Sequence, residues 1–245
     1  MTRTVLIGLG AIFLIPLLTH AVWWQMKPHP ASWSEASWSS SGVLPAASAD
    51  SDAVVHVLAG RTGRWKGIFA HHSWLVVKPR GANRYTRYDV VGWGKALRTD
   101  NYAADGRWYG NVPRILVTLR GEEAEVAIPA IRRAVEAYPH GGHGSYVVWP
   151  GPNSNTFVAS VARAVPALAP ALLPTAIGKD YEGWRPYVGQ TPSGTGVQVS
   201  LGGVLGLAVG WIEGLEINML GLVAGIDVRR PALKLPGWGR IGLAA

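Results

Sequence analysis

Cysteine is absent from the 245 residues, which excludes a disulfide scaffold, a thiolate metal site and a cysteine nucleophile. Phenylalanine is scarce, with 3 residues against 12 tryptophans. Charged residues reach only 16%, short of the roughly 25% usual in soluble domains. The sharper catalytic signatures are missing as well. No glycine-rich phosphate loop runs into Lys-Ser/Thr, and HExxH, Gly-x-Ser-x-Gly and Ser-x-x-Lys do not occur. What is present is a chain 48% apolar, enough for a core and incompatible with intrinsic disorder, with 31 glycines and 17 prolines. Its net charge of +8 is local. Twelve Lys/Arg against Asp89, Asp100 and Asp105 put +9 between Arg61 and Arg120.

After Arg3 an uncharged, mostly apolar stretch runs from Val5 to Trp24. Twenty helical residues at ~1.5 Å each cover a hydrocarbon core of ~30 Å. Residues 1–27 therefore read as a signal anchor with Trp23, Trp24 and Lys27 at the interface, in preference to a cleaved signal peptide, because Pro16 and the long run dilute a compact apolar region. Positive-inside counting places the body outside the cytoplasm, and lack of cysteine agrees with that. Residues 28–53 turn to Ser, Ala and Pro without periodicity, which predicts a linker lifting the body off the membrane.

Runs rich in Val, Ile, Leu and Tyr predict strands at Val54–Leu58, His72–Lys78, Tyr85–Val91 and Arg114–Leu119. The turn Arg80-Gly81-Ala82-Asn83 pairs the second and third so that facing residue numbers sum to about 163. Apolar steps of three and four predict a helix over Glu122–Tyr138, broken or opened by Pro129. A short strand is expected at Tyr146–Trp149, then a helix capped by Asn153 or Ser154 and stopped at Pro166. From Gly196 to Val228 apolar residues alternate with glycine or polar ones, which predicts an antiparallel meander with Glu213 and Glu216 solvated at a turn. An interfacial, lipid-facing sheet would account for the apolar surplus. The body is thus divided into an α+β domain, 54–195, and a glycine-rich β extension, 196–245.

Chemistry concentrates at two places. His71-His72-Ser73-Trp74-Leu75-Val76 puts a histidine at the head of a strand, and Asn153-Ser154-Asn155-Thr156-Phe157-Val158 puts a hydroxyl at a helix start, where backbone N–H groups favour a developing anion. These stretches resemble the circularly permuted papain-like fold of the NlpC and lecithin:retinol acyltransferase-like enzymes, whose His strand precedes an Asn-Cys-x-His-Phe-Val helix start. More specifically, His-x-Trp-Leu-Val-Val-Lys and Trp-Pro-Gly-Pro-Asn-Ser-Asn-Thr-Phe-Val resemble the bacterial domain of unknown function 3750 family, over about Val54 to Arg240. The resemblance implies a permuted papain-like antiparallel sheet packed on helices, Ser154 as nucleophile and His72 as base. The hairpin register adds Asp89, one diagonal step from His72 on the same face, as the orienting acid. A slip of one residue would turn it away. Asn153, Asn155, Trp74 and Trp149 are expected at the substrate.

Serine in place of cysteine supports two opposite readings, because a hydroxyl is far harder to deprotonate than a thiol. One is a serine-type amide or ester hydrolase or acyltransferase acting on envelope material. The other is a non-catalytic binding or structural module, with Ser154 as a helix cap and His72 as a core histidine. His140 and His143 lack a third nearby ligand, so no metal is expected, and no cofactor. The basic block reads as a solvated surface for anionic lipid or an anionic envelope polymer. Despite interleaved tryptophans, no nucleic-acid module is recognisable and no nucleic acid is expected as partner. The whole is expected as a single-pass protein of the bacterial inner membrane with its body in the periplasm.

Overall fold

Gly81, held at φ 71°, reverses the chain where the sequence puts the turn, and two strands zip back from it. The computed structural model describes residues 2–242. After α1 (Thr2–Gln25), the body opens with β1 (Val54–Arg61), β2 (His71–Lys78), β3 (Thr86–Val90), β4 (Leu97–Thr99) and β5 (Arg114–Arg120). These form one antiparallel sheet in the order β4-β3-β2-β1-β5. Leu75 faces Tyr88 and Val77 faces Thr86, the predicted register. Helices α2 (Gly121–Glu136) and α3 (Ser154–Ala164) cover one face of this sheet. There Val55, Val57, Leu75 and Val77 meet Ile128, Ile131, Phe157 and Val161 in a single apolar core. Pro129 lies within α2 without ending it. Alternation sends the even-numbered residues of β2 to the opposite face, where Trp74 and Val76 pack with Leu58, Val91 and Trp108.

That second face is covered by the segment expected as a free linker. Ser40 bridges to Gly106, Ser40 Oγ donates to Asp105 at 2.7 Å, and Trp38 stands edge-on to Trp108 at 5.0 Å. Residues 28–53 thus act as a strap, because Trp38, Val43 and Leu44 find apolar partners on the sheet. Tyr146–Trp149 is not a strand either. The run has no neighbouring strand to pair with, and its order comes from the Pro150–Pro152 turn, where Val147 N–H donates to Pro152 O at 2.8 Å.

The glycine-rich tail is a second antiparallel sheet that begins before residue 196. Its strands are β6 (Pro186–Gln190), β7 (Gly196–Leu201), β8 (Leu205–Gly210), β9 (Gly214–Met219), β10 (Leu222–Asp227), β11 (Ala232–Leu235) and β12 (Gly239–Gly242), paired in sequence order. Glu216 is no solvated turn residue. It lies in β9, buried, and takes Lys179 Nζ at 2.6 Å and Lys234 Nζ at 2.5 Å. Asp180 completes the group by accepting from Lys179 at 2.8 Å and from Asn218 at 2.9 Å. Burial opposes ionisation here, but the facing ammonium groups hold the Glu216 carboxyl below its ordinary range, and the carboxylates hold Lys179 above its own.

His56 on β1 donates or accepts at Thr118 Oγ1 through Nδ1, at 2.9 Å. Its Nε2 is buried without a partner among the described residues. Burial first, and then the Arg120 charge, depress it to about 4. The unfolded chain therefore takes up a proton near pH 6.5 that the folded one refuses, so stability falls as pH drops from about 6.5 towards 4 and is level above. The thermal midpoint is expected to drop across that window, with a shallower slope in His56→Gln. An unchanged slope in the variant would remove His56 as its source.

Candidate active site

The head of β2, the start of α3 and the loop before it meet in a cavity of about 540 Å³. His71, His72, Asn153, Ser154, Asn155 and Trp149 all line it. Trp74 does not. It is fully buried on the strap side, where Nε1 donates to Ala104 O at 2.8 Å and the Arg87 guanidinium sits 4.0 Å above its ring.

His72 is fixed from three directions. Its Nε2 lies 2.7 Å from Asp89 Oδ1, and since the carboxylate can only accept, Nε2 carries the proton and Nδ1 is the basic nitrogen. Trp108 stacks flat on the imidazole, with centroids 3.5 Å apart and planes within 2°. Gly60 faces His72 across the sheet, and any side chain there would meet Trp108 Cβ at 2.8 Å, so this position must be glycine for the stack to form. Nδ1 makes no hydrogen bond among the described residues.

Asp89 is held in turn by Arg87, whose Nε donates to Oδ2 at 3.1 Å and whose Nη2 donates to the same oxygen. Burial would raise the Asp89 carboxyl, but the facing imidazole and guanidinium together carry it below the ordinary carboxylate range. Arg87 was legible in principle, since residues two apart on a strand share a face and 87 and 89 flank one position.

Ser154 is the first residue of α3, not its cap. Asn153 is the cap. Its Oδ1 accepts from the backbone N–H of Asn155 at 2.9 Å and of Thr156 at 3.2 Å, while Thr156 Oγ1 accepts from Asn153 N–H. Asn153 Nδ2 donates to Val148 O and Ile177 O, both at 3.1 Å, so its polar atoms are spent on structure and none is left for substrate. Gly178, at φ 94°, makes room for that amide, because a Cβ there would lie 2.3 Å from Nδ2. With the cap supplied by Asn153, the Ser154 hydroxyl has no capping duty. Oγ forms no hydrogen bond to His72 or to any other described residue. Both side chains line the cavity, His72 from the head of β2 and Ser154 from the start of α3.

Asn155 ties the helix start to the strand, donating Nδ2 to His71 O at 2.9 Å and to Ile177 O at 2.8 Å. Its Oδ1 is buried with no partner among the described residues. His71 is buried, with Nδ1 on Thr175 Oγ1 at 2.8 Å, and burial followed by Arg61 and Arg114 lowers it well below the usual histidine range. Burial also lifts the Tyr146 hydroxyl on the cavity wall to about 12, so it stays a hydrogen-bond donor.

The basic block divides. Lys78 is buried, donating to Asp50 O and Asp52 O, Arg87 is buried under Trp74, and Arg61 donates to Gly67 O and Gly237 O. Arg80 and Arg120 pair with Asp52, Glu125 and Asp50. Several of the twelve cations are therefore internal clamps and not a solvated field. Among the described residues, no three His, Asp or Glu side chains converge as a metal site would need.

An α+β body with two antiparallel sheets, a buried Asp–His pair beside a helix start, and an N-terminal helix apolar enough to cross a membrane define the class of this protein. Residues 52–181, more than half of the chain, match the family described as protein of unknown function (DUF3750), and the chain belongs to it. No curated protein and no solved structure matches the chain.

Proposed function

We propose that the protein is a membrane-anchored acyl-transfer enzyme, a serine-type amide or ester hydrolase or acyltransferase of the bacterial cell envelope. The observation that carries this is the orientation of His72. Its Nε2 is committed to Asp89, which leaves Nδ1 as the base on a cavity wall that also carries Ser154. In that reading the substrate carbonyl enters beside them, and Ser154 Oγ and His72 Nδ1 close to hydrogen-bond distance around it. Ser154 Oγ attacks the carbonyl carbon as its proton passes to Nδ1, the carbonyl oxygen gathers charge near the Ser154 N–H at the helix start, and the imidazolium returns the proton to the departing alcohol or amine. Water, or the hydroxyl of a second substrate, then takes the acyl group from Ser154 by the same relay. The order of His strand, Asp strand and Ser helix supports kinship with the permuted papain-like enzymes. The apolar span Ile7–Gln25 of α1 supports a single-pass inner-membrane anchor with a periplasmic body, meeting anionic lipid or an envelope polymer.

A second reading, a binding module that uses the same cavity without catalysis, is favoured by one observation, the missing hydrogen bond between Ser154 Oγ and His72. Catalytic hydrogen bonds often close only around substrate, so the bond's absence does not decide between them. A serine-directed fluorophosphonate probe does. Labelling of the wild-type chain that is lost in Ser154→Ala and His72→Ala supports catalysis. No labelling of the folded chain, or labelling that survives Ser154→Ala, supports the binding module.

A further inference from the structure

The second sheet is built inside out. Its buried face carries Gln198, Ser200, Glu216, Asn218, Asp227 and Lys234. Its outer face is aliphatic and exposed, and the register aligns it into continuous rows. Val197 pairs with Val209, Val209 with Leu215, Leu215 with Ile226, Ile226 with Leu233 and Leu233 with Ile241. A second row runs from Val188 through Val199 and Leu207 to Ile217. No charged residue occupies this face of the seven strands. Soluble monomers rarely leave an apolar surface of such extent uncovered.

The identity of the covering follows from α1. One stripe of that helix, Leu9, Phe13, Leu17, His20 and Trp24, faces the body, with Phe13, His20 and Trp24 buried, while Ile12, Ile15, Leu18 and Val22 face outward. At 1.5 Å per residue the stripe is ~22 Å long, most of a membrane span. Its neighbours on the body are β10, β11 and the turn at Arg64–Ile68, and Trp238 after β11 donates to Thr19 Oγ1 at 3.1 Å. A helix that enters the bilayer therefore brings β10 and β11 of the second sheet to the membrane with it. Unpaired strand edges are not tolerated in hydrocarbon, so the sheet belongs at the interface with its face towards the chains. Exposed Trp184 and Trp211, before β6 and between β8 and β9, and exposed Arg185 and Arg230 suit that depth.

The same region lines the cavity. Leu17 of α1 and Leu222 of β10 line it together with Trp149 and Ser154. We infer that the outer face of the second sheet lies on the bilayer beside α1, and that the cavity opens onto the bilayer and receives the acyl chain of a membrane amphiphile. This rests on the membrane anchoring proposed above, not on Ser154 being a nucleophile.

The absence of cysteine makes the test direct. Full-length protein carrying one spin label, at Leu207→Cys or Leu233→Cys on the sheet or at exposed Val126→Cys on α2, is reconstituted into phosphatidylethanolamine/phosphatidylglycerol vesicles. Collisions with lipid-soluble oxygen and with a water-soluble nickel chelate are then compared. The two sheet positions are expected to favour oxygen several-fold more than the α2 position. Chain that floats with vesicles but shows equal ratios at all three positions overturns the inference and leaves the anchoring intact, and sheet positions closed to both reagents identify a protein partner and overturn it too. Chain that does not float overturns both. In the same vesicles, a phospholipid with a diazirine on its acyl chain is expected to cross-link residues 146–155 or 61–72, equally in wild type and Ser154→Ala. Adducts confined to α1 and the sheet face would overturn the cavity part.

Discussion

Asp89→Leu is expected to cost the body about 3–5 kcal/mol of stability, because it leaves the Arg87 guanidinium buried without a counter-charge. Arg87 is 1% exposed, and apart from Asp89 its guanidinium has, among the described residues, the Ala103 carbonyl, at 2.8 Å, and the ring faces of Trp74 and Tyr102. The leucine also deprives His72 Nε2–H of its acceptor. Asp89→Asn also removes the Arg87 counter-charge and is expected to be destabilised too, so its chemistry is read on the fraction shown to be folded. There the amide oxygen still accepts from Nε2 and keeps the tautomer, but the charge that steadies an imidazolium is gone. Fluorophosphonate labelling of the folded Asn variant is expected to slow by about a hundredfold or more, the scale of general acid–base assistance. Chemical denaturation reads the first effect and labelling kinetics the second. An Asn variant as reactive as wild type would leave Asp89 a purely structural counter-ion. Because the folded-state Asp89 carboxyl sits below the ordinary range, its contribution to stability is present above about pH 4 and fades as pH falls through the depressed folded value.

Glu216→Leu is expected to have an effect of the same size in the second sheet. Glu216 is the shared partner of Lys179 and Lys234, both nearly fully buried, and without it Lys179 keeps Asp180, while the hydrogen bond left to Lys234 among the described residues is to the Glu213 carbonyl. Removal of one member of a buried ion group costs about 3–5 kcal/mol through the charge left behind. The loss is expected to be partly reversed by Lys234→Met in the same chain, since removing both sides of a buried pair is far milder than removing one. Amide exchange should show β9 to β11 opening before β1 and β2. A loss below about 1 kcal/mol would place the group in solvent and remove it as the clamp between sheet and body.

These two clusters mark where the sequence was and was not readable. The register of β2 and β3 followed from a local turn, and the parity of a strand then put Asp89 beside His72 without any long-range information. The α2 stripe and the alternating tail were legible for the same reason, since a period of 3.6 or 2 is written residue by residue. What alternation does not carry is which face is inside. In the second sheet the apolar face is the exposed one, so Glu216 and Lys234 on the polar face are buried against Lys179. The strap from 28 to 53 was unreadable because its order comes from Asp105 and Trp108, which lie 65 residues from Ser40 and 70 from Trp38. Trp74 looked like a cavity residue from its place beside His72, but Arg87 across the hairpin claims its ring. Ser154 was ambiguous between cap and nucleophile until the Asn153 side chain was seen to bond the N–H groups of Asn155 and Thr156.

The central claim is that Ser154 takes an acyl group with His72 as its base. The most direct measurement is peptide-mapping mass spectrometry of the full-length chain quenched in acid after brief exposure to a p-nitrophenyl acyl ester. The account predicts one acyl adduct per chain on the peptide containing Ser154, released again at neutral pH, and absent in Ser154→Ala and His72→Ala that remain folded. An adduct on another residue, or none on a chain shown to be folded, would contradict it.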